Sequence, residues 1–565
     1  MASKNNDTVR DKRVIRFGIM CNGTALLSWQ AECLKQLLAL GNIQLSLVIM
    51  NAGHRQLGFL EKIRRFTIKK FLWSVSLPFI FRPRSYLPVD ISHILSKAAV
   101  IRCRTQVHRG HAEYFSHNDV EAIRSYDLDF ILRFGFNIIR GDILNACRYG
   151  IWSFHHDDET KYRGSPPCFW EIYFDDPVTS AVLQRLSERL DCGVILKKGY
   201  FRTIDCSYAK NLDRVNFESA NWPAKVCMDI FNHTADYLTN QPSESKARIF
   251  HNPGNLQMLL FMLKIFRRRA ANVFKNLFRH EQWHIGMINC PIQNFLQPGY
   301  RPQIEWLPLN KKNTFAADPF GMVYDDKLVI LHESFDYRAK KGKISSATVD
   351  AGSACFADSI DSPLHLSYPY ILRLDGETYC IPEIVQAREI ALFKAKNFPS
   401  EWEKSTVLIK DFAAVDATIF KFNAYWWIFC CEERNPNTDL FIWYSRDILG
   451  RWLSHVCNPV KSDIRSARPA GTPFIHQGCL YRPAQDCSRA YGWRVVLNKV
   501  VCLTPNKFEE EQAAVVELNQ KEIFSQGIHT LSAAGEMTLV DGKRSIFNKY
   551  AFKDSLLQYL RKQVF

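Results

Sequence analysis

The first 140 residues alternate short apolar runs with a segment in which apolar positions recur at helical spacing. The runs at 14–20, 43–50 and 129–134 predict strands, and each is followed closely by a turn that contains glycine. Residues 28–40 fit a helix between the first two runs. This order predicts an α/β domain with a doubly wound parallel sheet, whose ligands bind at the carboxyl ends of the strands.

Beyond residue 283 the pattern changes to a repeat of tight polar turns, each next to a hydrophobic strand. The turns lie around Asp325, Asp375, Asn423, Gln477 and Asp541, at intervals of 50, 48, 54 and 64 residues. Intervals of this size are typical of the four-stranded blades of a β-propeller. We therefore predict that an all-β five-bladed propeller follows the α/β domain.

Each repeat also contains a strand that opens with a polar residue beside small or proline residues. The innermost strands of a propeller start at its central channel, so equivalent polar residues should converge there. For any one acid, the alternative is a turn cap that binds only the backbone. The predicted channel residues are Asp318, Tyr368, Glu383, Asp416, Arg468, His529 and an Arg482–Asp486 pair, with Glu333 and Glu433 added on outgoing strands.

Charge is concentrated in two segments of the 565-residue chain. The net charge is +16, and residues 59–85 and 258–279 each carry a net +6 mixed with bulky apolar residues. Such a segment is either a basic amphipathic helix at an anionic membrane or a helix packed on its own protein with a solvated basic face. We predict an α/β domain over 13–245, a basic amphipathic helical linker over 246–282 and the propeller over 283–555.

Composition narrows the compartment and the partners. The 47% hydrophobic and 23% charged residues exclude a disordered, collagenous or coiled-coil chain. No apolar signal region and no apolar stretch of ~18–20 residues occurs. The 17 cysteines show no CxxC pair and no zinc spacing, so we predict reduced thiols and no metal site. A cytoplasmic protein is expected, with peripheral contact to an anionic membrane.

The densest polar constellation lies at residues 150–170. Two histidines, three acids, a tyrosine and an arginine fall within a dozen positions, before a glycine and two prolines. One interpretation is a charged surface loop with ordinary salt bridges. The other is an active-site loop, because a histidine beside a carboxylate titrates near neutral pH.

Three short motifs here resemble the folate-dependent formyltransferases that act on methionyl-tRNA, glycinamide ribonucleotide and amino sugars. They are Ser153-Phe154-His155, Tyr162-Arg163-Gly164 and Leu190-Asp191-Cys192-Gly193, and the similarity spans about 13–240. The resemblance implies 10-formyltetrahydrofolate as cofactor. It implies His155 as general acid/base or oxyanion partner, with Asp191 orienting it. The implied substrate- and folate-binding residues are Asn22, Gly135, His156, Tyr162, Arg163 and Gly164.

The motif departs from the family at Ser153, where these enzymes carry an asparagine. Loss of one oxyanion donor typically costs ~10²–10³ in rate. His156 and Asp157 are candidates to compensate. Otherwise the domain has either changed to another acyl or hydrolytic chemistry or lost catalysis.

The second half is similar to the propeller of glucosamine inositolphosphorylceramide transferases and, more distantly, to arabinanase-type glycoside hydrolases. The motifs include Ala317-Asp318-Pro319-Phe320 and Ile381-Pro382-Glu383. The resemblance implies a glycan in the channel, Asp318 as general base, Glu383 as general acid and Asp416 as the residue that tunes it.

Together these features predict transfer of a formyl group to the amine of a nucleotide- or lipid-linked amino sugar, with a propeller that binds or processes glycan. The alternative is a glycosidase or glycosyltransferase in the propeller with an inactive formyltransferase-like module. Formylation of tRNA is disfavoured because the propeller has no evident role there, so nucleic acid is not an expected partner.

Overall fold

The computed structural model describes residues 13–53, 68–108, 112–308, 314–350 and 353–547. The chain divides into two compact units, Met1–Ala270 and Ala271–Phe565, and their boundary falls inside the predicted linker. Residues 59–67 of the first basic segment and 548–555 of the predicted propeller lie outside the described residues. No helix in the described ranges is long and apolar enough to span a membrane.

A seven-stranded sheet with the strand order β13-β12-β10-β8-β1-β3-β5 forms the centre of the first unit. Strands β1, β3, β5, β8 and β10 are parallel, as predicted, whereas β12 and β13 form an antiparallel hairpin at one edge. The expectation of a wholly parallel sheet was therefore wrong at this edge. Residues 186–193 are too few for the crossover that parallel neighbours need.

The strands of this unit are β1 Ile15–Cys21, β2 Ala25–Leu27, β3 Ile43–Asn51, β4 Pro88–Asp90, β5 Ala99–Cys103, β6 Gln106–His108, β7 Ala112–Tyr114, β8 Phe130–Arg133, β9 Ile138–Arg140, β10 Ile151–His155, β11 Arg163–Gly164, β12 Val178–Arg185, β13 Val194–Arg202 and β14 Ile249–Phe250. Two hydrophobic clusters cover the two faces of the central sheet. Neighbouring residues of a strand point to opposite faces, which matters at the end of β10.

Eight helices are described: α1 Ser28–Leu38, α2 Phe71–Ser76, α3 Ser92–Leu95, α4 His117–Arg124, α5 Trp170–Tyr173, α6 Tyr208–Ser219, α7 Trp222–Phe231 and α8 Asn255–Phe278. Side-chain caps fix several of their N-termini. The hydroxyls of Ser116 and Ser207 accept the amide hydrogens of Asp119 and Lys210 at the starts of α4 and α6. Helix α1 confirms the helix predicted after the first strand.

The second unit consists of antiparallel sheets of four or five strands. The five sheets are β15 Arg279–Ile288 and β16 Glu305–Trp306 with β34 Leu531–Ala534 and β35 Met537–Phe547; β17 Thr314–Tyr324, β18 Lys327–Asp336, β19 Lys341–Asp350 and β20 Ser353–Ile360; β21 Ser367–Leu374, β22 Glu377–Glu383, β23 Glu389–Asn397 and β24 Glu401–Lys410; β25 Ala414–Phe422, β26 Tyr425–Glu432, β27 Asp439–Ser445, β28 Leu453–Ser454 and β29 Lys461–Ser462; and β30 Phe474–His476, β31 Cys479–Asp486, β32 Arg494–Thr504 and β33 Lys507–Val516.

The predicted repeat turns are confirmed in four of five positions. The turns at Asp325, Asp375, Asn423 and Gln477 each have positive φ and join the first two strands of a sheet. The fifth assignment was wrong, because Asp541 lies within β35 and is fully buried. The turn of that sheet is instead at Gly535, where φ is +64°.

Apolar side chains of each sheet pack against the next. Shared clusters join the sheets that start with β17 and β21, β21 and β25, and β25 and β30. Further clusters join the sheet of β30 to that of β15, and the sheet of β15 to that of β17. The predicted class, an α/β unit followed by an all-β unit of repeated antiparallel sheets, is therefore confirmed.

Candidate functional site

His155 and Asp191 meet at the carboxyl end of the central sheet of the first unit. His155 is the last residue of β10, and Asp191 lies in the β12–β13 loop with φ +50°. Nδ1 of His155 is 3.7 Å from Oδ1 of Asp191, and both side chains are largely buried. Nε2 lies 3.0 Å from the carbonyl oxygen of Tyr162, so it must carry the hydrogen of a neutral imidazole. Nδ1 is then the nitrogen that can accept a proton.

The Tyr162-Arg163-Gly164 segment positions this pair through backbone groups and through the Arg163 side chain. The Gly164 amide donates to Oδ2 of Asp191 at 3.1 Å, and φ of +96° at Gly164 brings the backbone close to Phe250. Nη2 of Arg163 donates to the carbonyl of Leu190 at 2.5 Å. These residues therefore hold the Asp191 loop in place, which is a positioning role.

Ser153 lies on the same face of β10 as His155 and is bound by an arginine. Nε and Nη2 of Arg133 donate to the Ser153 hydroxyl at 3.1 and 2.8 Å, and Nη1 donates to the carbonyls of Phe136 and Asn137. Burial lowers the pKa of Arg133, and Asp191 is the first of the carboxylates that oppose this shift. The guanidinium therefore belongs to the electrostatic environment of the His155–Asp191 pair.

Asn22 and Gly135 close the ends of the neighbouring strands β1 and β8. Oδ1 of Asn22 accepts the amide hydrogen of Phe136 at 3.2 Å. A Cβ at Gly135 would lie 2.7 Å from the backbone of Cys21 and 2.8 Å from Oδ1 of Asn22. Only glycine permits this approach. Asn22 and Gly135 therefore hold together the carboxyl ends of β1 and β8, and Arg133 is the last residue of β8.

His156 lies in different surroundings from the pair, and its role in binding substrate or folate stays a prediction. Its ring packs against Trp29 and Phe154, and Nε2 lies 3.3 Å from the hydroxyl of Ser219. Burial lowers its pKa to about 3, so it remains neutral. Strand alternation explains this placement, because His155 and His156 leave the backbone on opposite sides.

The acids after His156 also have structural partners. Asp158 and Glu159 both form ion pairs with Lys198, but both acids are buried, so the interpretation as a surface loop was wrong. Asp157 accepts the amide hydrogen of Cys168 at 2.7 Å and lies beside Glu171, which is fully buried. Burial raises the pKa of Glu171 to about 8 and also raises the pKa of Asp157 well above its ordinary value, so this pair holds a proton at neutral pH.

In the second unit, three predicted channel residues occupy one repeated backbone position. Asp318, Tyr368 and Asp416 have φ of +52°, +44° and +53°. Each lies where the pairing of the first two strands of its sheet shifts register. The bulge directs side chains out of the ladder at equivalent points of three sheets. The Tyr368 amide donates to Oδ2 of Asp318 at 3.3 Å, which links two of these positions.

Asp318 continues into a buried group with His529 and Asp541. Nδ1 of His529 lies 2.5 Å from Asp541 and 3.7 Å from Asp318. Although burial opposes the charged form, these two carboxylates raise the pKa of His529. The three residues offer potential metal-ligand atoms within 4.8 Å of one another. Oδ1 of Asp541 accepts the amide hydrogens of His529 and Thr530, and its Oδ2 accepts the amide hydrogen of Asp318 at 3.1 Å.

Asp416 binds Arg468, the predicted channel arginine, which lies just before β30. Nε and Nη2 of Arg468 lie 2.5 and 3.2 Å from its two oxygens, a bidentate ion pair. Gln485 adds a donor to Asp416 at 2.9 Å. Tyr491 lies against the Arg468 guanidinium, 5.0 Å from ring centre to Cζ. Asp416 is thereby held as a paired carboxylate.

Glu383 is the carboxyl group next to this pair. Its oxygens accept the Asp416 amide at 2.7 Å and the Ser367 hydroxyl at 3.0 Å. Burial, followed by the charge of Asp416, raises its pKa to about 8. Burial also raises the pKa of Asp318, to about 6. Glu383 and Asp318 are therefore two buried carboxyl groups of this unit with raised pKa values.

The predicted Arg482–Asp486 pair was wrong. Arg482 is buried against Glu510 of β33 at 2.7 Å, and Asp486 binds Arg494 of β32 at 2.9 Å. Each side chain is paired with the neighbouring strands of its own sheet. Glu433, also expected in the channel, is exposed.

Sequence reasoning missed four residues that contact these groups: Arg133, Gln485, Tyr491 and Asp541. Arg133 lies in the predicted strand at 129–134, and a basic residue at the end of an apolar run was the available signal. Asp541 was assigned to a turn. Gln485 and Tyr491 carried no signal of spacing or charge.

Residues 307–529 match the family model described as "Glucosamine inositolphosphorylceramide transferase 1, N-terminal". A protein of that name from Oryza sativa subsp. japonica is 36% identical over 207 residues, which cover 35% of this chain and 28% of the relative. The chain thus spans about a third of the length of these relatives.

The first unit is similar to another class of enzyme. A methionyl-tRNA formyltransferase from Agathobacter rectalis is 30% identical over 129 residues, covering 22% of this chain and 42% of the relative.

Among solved structures, a family 117 glycoside hydrolase from Zobellia galactanivorans has a TM-score of 0.31 at 14% identity, covering 48% of this chain and 91% of that one.

Proposed function

We propose that the first unit transfers a formyl group from 10-formyltetrahydrofolate to the amine of an amino sugar. The observation that carries this proposal is the contact of His155 with Asp191 beside the Ser153–Arg133 pair. A base, a carboxylate and a set of hydrogen-bond donors at one strand end are the groups that acyl transfer requires. This donor set fits a formyl oxygen.

Bound 10-formyltetrahydrofolate would supply the formyl group. Nδ1 of His155 accepts the proton that the attacking amine loses and returns it to the folate nitrogen when its bond to the formyl carbon breaks and tetrahydrofolate leaves. Asp191, 3.7 Å away, stabilises the resulting imidazolium. The Ser153 hydroxyl and the Arg133 guanidinium stabilise the negative charge that develops on the formyl oxygen. Arg133 thus takes the role that the family gives to an asparagine amide.

We infer that the acceptor is carried on a lipid. The relatives of the second unit are named for glucosamine and inositolphosphorylceramide, an amino sugar and a glycolipid. The second unit would bind the glycan of the acceptor while the first unit modifies the amine. A nucleotide-linked amino sugar is the alternative acceptor.

The experiment follows tetrahydrofolate release by the purified protein supplied with 10-formyltetrahydrofolate. Its two arms contain a glucosamine-bearing inositol phospholipid or an amino-sugar nucleotide. His155→Ala should lower release by about 10²–10⁴, whereas His251→Ala, a change at an exposed histidine of the same unit, should leave it unchanged. Release that is absent from the wild type in both arms, or equal in wild type and His155→Ala, rejects formyl transfer.

The second candidate function places the chemistry in the second unit. We infer that its five sheets close into a five-bladed propeller, since β15 and β16 complete the sheet of the C-terminal strands β34 and β35. The raised pKa of Glu383 favours this candidate, because a protonated carboxyl group at neutral pH is suited to general acid catalysis. Asp318 would be the general base.

Activity on glycosides tests this candidate. Hydrolysis or transfer from glycoside donors should be lost in Glu383→Gln and retained in Glu377→Gln, an exposed residue of the same strand. Equal turnover by the two variants contradicts catalysis by Glu383. If Asp318→Asn loses glycan turnover but still binds folate, the result supports chemistry in the second unit.

A further inference from the structure

Two basic segments that are far apart in sequence pack side by side in the first unit. The Leu72 amide donates to Oδ1 of Asn255 at 3.0 Å, and the rings of Phe81 and Phe261 meet edge to face at 6.2 Å. Both segments contribute to the hydrophobic cluster under the central sheet. Residues 68–87 and 255–270 therefore form one side of this unit.

Large apolar side chains remain exposed on both segments. On α8 they recur at i, i+3, i+4, i+7 and i+10, which covers about 120° of the helix surface. The exposed residues, with their exposed fractions, are Leu256 70%, Leu259 50%, Leu260 48%, Leu263 57% and Phe266 72% on α8, and Phe79 67% and Ile80 60% after α2.

The opposite face of α8 is firmly attached to the unit. Met258, Phe261 and Ile265 are buried. Lys264 and Arg268 bind Asp175, and the Lys264 ammonium also donates to the carbonyl of Tyr173 at 2.7 Å. The exposed apolar face therefore belongs to a packed helix, and no change in its orientation is needed to present it.

Positive charge surrounds this apolar face. Residues 68–87 and 255–270 contain no acidic residue. Their exposed basic residues are Lys69, Lys70, Arg82, Arg84, Arg267 and Arg269. Arg267 lies on the apolar face itself, four residues after Leu263. A long basic side chain there can bury its methylene groups and keep the guanidinium at the level of phosphate groups.

We propose that this surface, formed by residues 68–87 and 255–270, binds the face of an anionic lipid bilayer. Leucine and phenylalanine enter the boundary between headgroups and acyl chains, and the arginines and lysines contact lipid phosphates. This inference stands on the surface alone and does not rest on the proposed formyl transfer.

Vesicle flotation of the full chain tests the proposal. The vesicles contain phosphatidylcholine alone or with phosphatidylserine, and binding is expected only with phosphatidylserine and is expected to weaken at high salt. Arg267→Gln with Arg269→Gln should weaken binding about fivefold for each charge removed. Leu259→Ser, Leu263→Ser and Phe266→Ser together should weaken it at least about a hundredfold.

A matched control removes three apolar residues that are equally exposed in the second unit, Val323→Ser, Ile475→Ser and Val501→Ser. It should bind vesicles as the wild type does. Binding to phosphatidylcholine alone that equals binding with phosphatidylserine, or unchanged binding by the triple serine variant of α8, overturns the proposal. It is also overturned if the wild type binds neither kind of vesicle.

Discussion

The guanidinium of Arg133 holds the hydroxyl of Ser153 through two hydrogen bonds, at 3.1 Å from Nε and 2.8 Å from Nη2. The hydroxyl occupies the motif position at which formyltransferases carry asparagine. A hydroxyl that is hydrogen-bonded to a guanidinium stabilises a nearby anion more strongly than a hydroxyl alone, because the cation adds its charge. The substitution at Ser153 is therefore accompanied by a charge that the motif itself does not contain.

Arg133→Met should lower kcat for formyl transfer by about 10²–10³, because one donor to the developing oxyanion is lost. Adding Ser153→Asn should restore part of the rate, since the amide then supplies a donor. Tetrahydrofolate release under saturating substrate measures both effects. An unchanged kcat in a folded Arg133→Met variant would contradict this role.

Asp191→Asn should lower kcat by about a hundredfold or more, because the imidazolium of His155 loses its compensating charge. The asparagine can still accept the Gly164 amide hydrogen, so the loop should keep its conformation. Combined with His155→Ala, the change should cost little further rate, as expected for residues that act as a unit. Multiplicative losses would show that the two residues act separately.

Glu171 should make the first unit less stable as pH rises. Its pKa is about 8 in the folded protein against an ordinary value of 4.5, so the folded state holds a proton that the unfolded state releases. The stabilisation is complete below pH 4.5 and is lost as pH rises toward 8. The loss of stability of the first unit between pH 5 and pH 8, followed by thermal unfolding, should be smaller in Glu171→Gln than in the wild type. An identical difference in both proteins would place the effect elsewhere.

Asp416→Asn should destabilise the second unit by roughly 3–5 kcal/mol, because the buried Arg468 would lose its bidentate partner. Denaturant unfolding measures the change. Asp358→Asn is the matched control. Asp358 pairs with Lys343 at the surface, where loss of an ion pair costs about 0–1 kcal/mol. Equal costs at the two sites would contradict the argument from burial.

The basic helix α8 shows what a sequence pattern can predict and what it leaves open. Its charge and apolar spacing left two interpretations, a membrane surface or a helix packed on the protein. The structure shows that Met258 and Phe261 pack inward while Leu259 and Phe266 stay exposed. Sequence spacing identified the amphipathic helix. Which apolar stripe faces the protein depended on the neighbouring segment around Phe81.

Local sequence determined β1, β3 and β8 of the first unit and four of the five repeat turns of the second. The reason is that apolar spacing and turn residues such as Asp375-Gly376 act over a few positions of the chain. Tertiary structure alone decided which distant side chains became partners. Arg133 reaches Ser153, and Asp541 reaches His529, because neighbouring strands place them there. Such contacts depend on sheet order and register, which no short pattern encodes.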